Sequence, residues 1–208
     1  MSYEEASFTE PLACCLNGVN RSNIHTGDDV VVVGAGQIGL MHVQLARHLG
    51  GRVIACDLIE ARLEKAKALG ASDVIHVSEA DAVEVVKDLT EGRGANTVIV
   101  AVGTSKAAEM GIAMAGICGT VNFFAGFYPP QTIHVDPNVI HYKQLNVTGS
   151  HDFTPHDFTS ALKLIAHGTV NVKALISHRL PLDEIKPGFD TVAEQSGIKV
   201  MIEVGSEM

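Results

Sequence analysis

Six short apolar runs, with helical spacing in the segments between them, constrain the fold of this chain more than any other feature of its sequence. Each run is apolar throughout rather than alternating, which is typical of strands that are covered on both faces. A repeated order of strand, helix and strand predicts a doubly wound parallel sheet, and therefore an α/β fold. The predicted strands are Val30 to Val33, Arg52 to Asp57, Asp73 to His76, Thr97 to Val102, Thr120 to Phe124 and Leu145 to Ser150.

The two ends of the chain do not continue this alternation. Residues 1–25 are predicted to form one helical stretch and a linker, and residues 177–208 a strand, a helix and a strand. We therefore expect one domain over residues 26–176, with flanking segments at 1–25 and 177–208. Because a domain usually has about 100 to 200 residues, a second complete domain is not expected.

A glycine-rich loop joins the first predicted strand to the first predicted helix. Gly34 permits a tight turn, Gly36 lets a pyrophosphate approach the backbone, and Gly39 lets the helix pack closely on the strand. In this context the pattern predicts a Rossmann fold with a dinucleotide phosphate at the N-terminus of the helix. The residues expected to border the cofactor here are Gly34, Gly36, Gln37, Ile38 and Gly39.

Asp57 ends the second predicted strand, 18 residues after Gly39. A carboxylate at this position can accept a hydrogen bond from the adenosine ribose, and it would repel the 2′-phosphate of NADP. We therefore expect a preference for NAD of about one to two orders of magnitude, from one charged hydrogen bond. The alternative is that Asp57 caps the next helix. Arg62 on that helix is a candidate to stack on the adenine, or is an exposed helical arginine.

Small residues follow the fourth and fifth predicted strands. Ligands of open α/β sheets bind along the carboxyl edge, so Val102, Gly103 and Gly126 are expected near the nicotinamide. The alternative is that these glycines only form turns. Ser150 and His151 follow the sixth strand, and His151 is the histidine most expected to approach the nicotinamide. No two histidines have the i, i+4 spacing of a helical zinc site.

Charge and cysteine usage restrict the partners and the compartment. The formal net charge is -9 and the basic residues are dispersed, so neither nucleic acid nor an anionic membrane is an expected partner. The longest apolar runs fall short of the roughly 18 residues that a membrane span needs. The cysteines show no C-x-x-C spacing and are expected to be buried and reduced, which predicts a cytoplasmic location. They are Cys14, Cys15, Cys56 and Cys118.

Several further motifs resemble the zinc-type medium-chain dehydrogenases, and most of all their polyol group, which includes sorbitol and threonine dehydrogenases. The resemblance implies an oxidoreductase that transfers a hydride between a secondary alcohol or sugar alcohol and NAD. It rests on the glycine loop, Glu10-Pro11-Leu12-Ala13, Asp57 with Arg62-Leu63, Gly70-Ala71, Gly92-Arg93-Gly94-Ala95, Val102-Gly103, His141-Tyr142-Lys143, Thr148-Gly149-Ser150 and Ile198-Lys199-Val200.

The family's separate catalytic domain has no counterpart in these motifs. In the family that domain supplies the zinc-binding Cys and His, and they precede the glutamate that Glu10 matches. The resemblance therefore implies the carboxyl-terminal portion of such an enzyme, whose flanking segments pack on the absent domain. Glu10 is the one catalytic position carried over, the alternative being a solvent-facing carboxylate. A zinc site needs about three protein ligands, so no bound catalytic zinc and little turnover are expected.

Two other functions use a similar glycine loop. An NAD-sensing regulatory module would bind the cofactor without catalysis, and fold analogy alone does not decide against it. A methyltransferase loop usually has the pattern G-x-G-x-G, whereas position 38 here is Ile38. An open sheet also leaves an edge strand, so we expect a homo-oligomer that pairs through residues 120–127 and 138–150.

Overall fold

The computed structural model describes residues 1–205, and within them six parallel strands form the main sheet in the order β3-β2-β1-β4-β5-β6. This order confirms the doubly wound Rossmann fold. A second sheet in the same residues pairs β7 with β8, also in parallel. The strands are β1 (Asp29–Val33), β2 (Arg52–Asp57), β3 (Asp73–His76), β4 (Ala95–Val100), β5 (Ala115–Phe123), β6 (Asn146–Gly149), β7 (Ile176–Pro181) and β8 (Lys199–Glu203).

Helices connect the strands and cover both faces of the main sheet. Short 3-10 helices lie at Lys173–Leu175 and Leu182–Glu184. The α-helices are α1 (Tyr3–Ala6), α2 (Thr9–Ser22), α3 (Gln37–His48), α4 (Glu60–Ala68), α5 (Ala82–Leu89), α6 (Ser105–Met114), α7 (Pro137–Lys143), α8 (Pro155–Ala166) and α9 (Ile185–Ala193). No helix within residues 1–205 is long and apolar enough to cross a membrane.

The apolar runs form the centre of the sheet. Every residue of β1 is buried, and its valines alternate between the two core clusters on opposite faces of the sheet. The expectation that all six strands are covered is wrong for β6. This strand lies at the edge of the sheet, pairs with β5 alone and is mostly exposed.

Helix α2 belongs to the core of this chain. Its buried residues Leu12, Ala13, Cys15 and Val19 lie in the same cluster as residues of β1, α3 and α8. The predicted helical stretch in residues 1–25 is therefore confirmed, and much of its apolar face is covered without a further domain. The division of the chain at residue 26 stays a prediction.

The carboxyl-terminal segment forms the predicted strand, helix and strand. Helix α9 crosses between the two strands of the small parallel sheet, and residues 206–208 of the predicted segment lie outside the described part. Along one side of α9, Ile185, Phe189 and Val192 are exposed. Their spacing of i, i+4 and i+7 gives the helix an apolar face that points away from the small sheet.

The cysteines do not all have the predicted burial. Cys15 and Cys56 are buried, whereas Cys14 is half-buried and Cys118 is exposed. The expectation is wrong for Cys118 because its backbone is left-handed, with φ +58°, beside the register shift between β4 and β5. This irregularity turns the side chain out of the core.

Candidate functional site at the carboxyl edge of the sheet

The glycine loop between β1 and α3 has the close packing that its sequence predicts. Gly34 has φ +97°, and a Cβ there would lie 2.3 Å from Cγ2 of Val102. A Cβ on Gly39 would lie 1.7 Å from the carbonyl oxygen of Gly34. Only glycine fits at these two positions, because the loop folds back directly onto the first turn of α3.

Gly36 plays a different part in the loop. It is the N-cap of α3 and is extended, and apart from its own helix and chain neighbours no described residue has an atom within 4 Å of the position that its Cβ would take. No side chain within residues 1–205 caps this helix. The backbone N–H groups of Gln37 and Ile38, in the first turn, have no hydrogen-bond partner within residues 1–205 and lie at the positive end of the helix dipole. This is a cradle of the shape and polarity that an anion needs.

Asp57 lies beside this cradle at the end of β2 and fixes two turns. Its Oδ2 accepts a 2.6 Å hydrogen bond from the N–H of Ala35, in the glycine loop. Its Oδ1 accepts from Leu58 and Ile59, at 2.8 and 3.0 Å, just before α4 begins. The N-cap of α4 is Ile59, so Asp57 organises the approach to this helix without capping it. Three acceptor sites are used, and a carboxylate has about four.

Arg62 is held away from the glycine loop. From α4 its guanidinium donates to the carbonyl oxygen of Gln195 at 3.1 Å, which ties the main sheet's second crossover to the turn after α9. Its predicted stacking on adenine stays a prediction.

The turns that follow β4 and β5 touch one another. A Cβ on Gly103 would lie 2.3 Å from the carbonyl oxygen of Gly126, so the absence of a side chain allows the two backbones to meet. Gly126 has open space on its own Cβ side. Val102 is exposed and packs against Gly34. These predicted residues therefore form one continuous wall that begins at the glycine loop.

A cavity of about 570 Å³ lies beyond this wall, between the ends of β5 and β6. It is lined by Gly126, Ser150 and His151, which were predicted site residues. It is also lined by three residues that were not predicted: Asn17, Arg21 and Phe124. Behind it, the hydroxyl of Ser150 donates to Oδ1 of the buried Asn122 at 3.2 Å.

A neighbouring cavity of about 430 Å³ brings Glu10 together with Ile38, Ser150 and His151. Glu10 is exposed, and the thiol of Cys14, one turn along α2, donates to its Oε1 at 3.5 Å. Burial and the adjacent Glu10 carboxylate raise the pKa of the Cys14 thiol to about 11. This keeps the thiol protonated at neutral pH.

The donors in this second cavity do not fit a catalytic zinc. Within residues 1–205, no group of three or more His, Cys, Asp or Glu side chains could hold a metal ion. We therefore assign no step to a metal held by the described residues.

The sequence could have indicated only in part that the candidate site includes Asn17, Arg21 and Cys14. Asn17 and Arg21 are four residues apart and share a face of a predicted helix. Sequence spacing did not reveal that α2 packs across the ends of β5 and β6, because that contact joins distant parts of the chain.

Comparison with known proteins agrees with this geometry. The model of a protein family described as zinc-binding dehydrogenase matches residues 38–167, which is more than half of the chain. The chain belongs to the zinc-binding dehydrogenase family. The predicted resemblance is thereby confirmed.

Several similar proteins are named as polyol dehydrogenases. The chain is 32% identical over 210 residues to the D-arabitol-phosphate dehydrogenase of Enterococcus avium, covering 100% of this chain and 59% of that protein. It is 35% identical over 199 residues to the sorbitol dehydrogenase of Halalkalibacterium halodurans, covering 95% and 58%. This zinc-binding dehydrogenase chain thus spans less than two thirds of the length of these relatives.

A solved structure shows the same fold with a cofactor. A zinc-binding dehydrogenase of Sinorhizobium meliloti, bound to NADP, superposes with a TM-score of 0.87 at 30% sequence identity. The match covers 95% of this chain and 58% of the other. A nicotinamide cofactor therefore fits the family to which this chain belongs.

Proposed function

We propose that this chain is the nicotinamide-cofactor-binding part of a zinc-type alcohol or polyol dehydrogenase. The observation that carries the proposal is the open N-terminus of α3 behind Gly36, with Asp57 fixed beside it. Both lie next to the point between β1 and β4 where the strand order reverses, which is where open α/β sheets bind nucleotides. The nicotinamide, when bound, supplies the hydride chemistry, and the protein supplies binding and orientation.

The other predicted residues have roles along the same edge in this proposal. The wall of Val102, Gly103 and Gly126 continues from the phosphate cradle towards Ser150 and His151, which border the nicotinamide end. Glu10 lies in the adjoining cavity and accepts a hydrogen bond from a hydroxyl of the substrate or from a group that positions it. The substrate is a secondary alcohol or sugar alcohol, as the names of the polyol relatives suggest.

The carboxyl-terminal flanking segment supports a further domain in the complete protein. The exposed face of α9, formed by Ile185, Phe189 and Val192, is an apolar surface at the end of the described chain. We propose that this face packs on the family's catalytic domain, which would carry the zinc, and that the enzyme acts in the cytoplasm.

We further propose that the cofactor is NAD rather than NADP. Asp57 is held by three backbone N–H groups, so its charge stays at the end of β2 with an acceptor site to spare. A ribose hydroxyl can donate to that site, whereas a 2′-phosphate would meet a fixed negative charge. Leu58 and Ile59 follow, and neither offers a cation to a phosphate.

Replacing Asp57 with serine is expected to reduce the preference for NADH over NADPH by about tenfold or more, since one charged hydrogen bond and one repulsion are lost. Titration of the purified chain with each cofactor by calorimetry measures the two dissociation constants. Asp57→Ser also removes the hydrogen bond to Ala35, so Asp57→Asn is the control. Asparagine keeps one acceptor oxygen but removes the charge. Equal preference in the wild type and both variants would contradict the assignment.

We also propose that the protein is a homo-oligomer that pairs through the edge of the main sheet. The exposed strand β6 offers unpaired backbone groups, and Val147 on it is 36% exposed. Val147→Lys is expected to shift the protein to monomer, because it places a charge in the paired edge. Sedimentation velocity over a range of protein concentrations measures this shift, and a wild type that stays monomeric throughout would refute the proposal.

A further inference from the structure

Two side chains of α2 hold the turn between β6 and α8 by its backbone. Asn17 donates from Nδ2 to the carbonyl oxygens of His151 and Asp152, at 3.3 and 2.9 Å. Arg21, one helical turn further along, donates from Nε to the carbonyl oxygen of Gly149 at 2.7 Å. Backbone carbonyls on both sides of Ser150 are thus anchored to a helix that lies outside the sheet.

The turn has further support from the N–H of Ser150, which donates to the carbonyl oxygen of Phe123 at 3.4 Å, and from Phe153, which packs against the core. The turn follows an exposed edge strand, and Asp152 has a left-handed backbone, with φ +63°, which is disfavoured for a residue with a Cβ. The Asn17 amide binds the carbonyl of this residue and the one before it, so it stabilises the unusual conformation directly. The hydroxyl of Ser150 reaches Asn122 underneath.

We propose that Asn17 and Arg21 are positioning residues for the nicotinamide end of the cofactor. The inference rests on the proposed function, in which Ser150 and His151 border the nicotinamide. Ser150 and His151 line both cavities at the carboxyl edge. The hydrogen bonds from α2 set the path of their backbone. Asn17 and Arg21 act through this turn.

The adenosine and phosphate half of the cofactor provides an internal reference. Its proposed contacts, at the glycine loop and Asp57, involve β1, β2 and α3, and neither Asn17 nor Arg21 bonds to those elements. A turn that is not held in place must be ordered when the nicotinamide binds, and this ordering weakens affinity. ADP-ribose, which has no nicotinamide, requires no such ordering.

The test is calorimetric titration of the 208-residue chain with NADH and with ADP-ribose, for the wild type and for the Asn17→Ala/Arg21→Ala double variant. We expect the dissociation constant of NADH to rise about tenfold, because two anchors that preorganise the turn are lost. The dissociation constant of ADP-ribose is expected to change by less than about twofold, as for a remote substitution. An equal rise for both ligands, or no rise for NADH, would overturn the proposal.

Two matched variants separate positioning from other effects. Asn20→Ala removes an amide of the same helix that bonds Oδ1 of Asp157, on α8, at 3.2 Å rather than a carbonyl of residues 149–152, and it should leave the ratio of the two constants unchanged. Arg21→Lys keeps the charge but not the guanidinium geometry. If Arg21→Ala weakens ADP-ribose and lysine restores it, the residue acts as a charge near the phosphates and the positioning role is wrong.

Hydrogen exchange of the cofactor-free protein gives a second, independent measurement. In the double variant, amides of residues 150–153 are expected to exchange faster, while those of β1 and α3 keep their rates. Unchanged exchange in the turn would refute the positioning role even if cofactor affinity fell. A wild type that binds neither NADH nor ADP-ribose would instead refute the proposed function, and the two failures are therefore distinguishable.

Discussion

Replacing Gly39 with alanine is expected to lower the free energy of unfolding by about 3 kcal/mol, at the upper end of what overpacking costs. The added Cβ would lie 1.7 Å from the carbonyl oxygen of Gly34; that oxygen is a backbone atom, and the Cβ is bonded directly to the backbone of α3. Neither can move without opening the loop or displacing α3 from β1. Urea unfolding followed by circular dichroism measures the loss, and NADH binding should disappear with it.

Gly36→Ala is the matched control in the same loop, and it should separate binding from folding. Apart from its own helix and chain neighbours, no described residue has an atom within 4 Å of this Cβ position, and φ is -72°, which alanine adopts freely. Stability should fall by no more than about 1 kcal/mol, the usual cost of alanine at an N-cap. NADH affinity should nevertheless fall by about tenfold or more, because the methyl group occupies the space in front of the α3 N–H groups. Equal stability losses in the two variants would contradict this assignment of the glycines.

The second large effect concerns acid stability and originates at His42 on α3. This side chain is fully buried with its ring edge-on to Phe124, and neither ring nitrogen has a hydrogen-bond partner among residues 1–205. Burial lowers its pKa from 6.5 to about 3. Because the folded protein holds the neutral form, the unfolded chain binds the proton more readily. Above pH 6.5 the histidine is neutral in both the folded and the unfolded state, so proton binding does not affect stability. As the pH falls from 6.5 towards 3, the unfolded chain binds a proton that the folded protein does not, and the fold loses stability.

His42→Leu is expected to remove this loss. At about pH 4.5 the variant should be more stable than the wild type by about 2 to 3 kcal/mol from the proton linkage alone. At neutral pH the gain should be smaller, since only the cost of burying an unpartnered ring is removed. Urea unfolding measured from pH 7.5 to about 4.5 tests this difference.

His42→Gln is the control, because glutamine is polar but does not titrate. The stability of the glutamine variant should change as little with pH as that of the leucine variant, but it should show no gain at neutral pH. An acid-induced loss that is equal in the wild type and in both variants would show that His42 does not cause it.

The sheet could be predicted from local sequence, and two of its strands have the bounds that the sequence predicts. The limits of the runs Arg52–Asp57 and Asp73–His76 agree with the structure. β6 was predicted as a strand but with the wrong environment. Whether an apolar strand is covered depends on its place in the sheet order, and local composition does not contain that information.

The candidate site was predictable where a single loop determines it, and less so where distant segments meet. The geometry of Gly34 and Gly39 follows from a local turn, so the spacing of the glycines was sufficient to predict it. The hydrogen bond from Asn17 to His151 joins residues 134 positions apart, and no spacing rule predicts it. The same holds for Arg62, whose partner is a carbonyl of the carboxyl-terminal segment.

The partnership of α2 with α8 also sets an order of events during synthesis. Asn20 and Asp157, which join the two helices, are separated by 137 residues. At about 5 to 20 residues per second, the ribosome needs roughly seven to thirty seconds to make that interval. During this time the apolar side of α2, with Leu12 and Val19, has left the ribosome without the residues of α8 that cover it. The nascent chain therefore exposes the apolar side of α2 until α8 has been made.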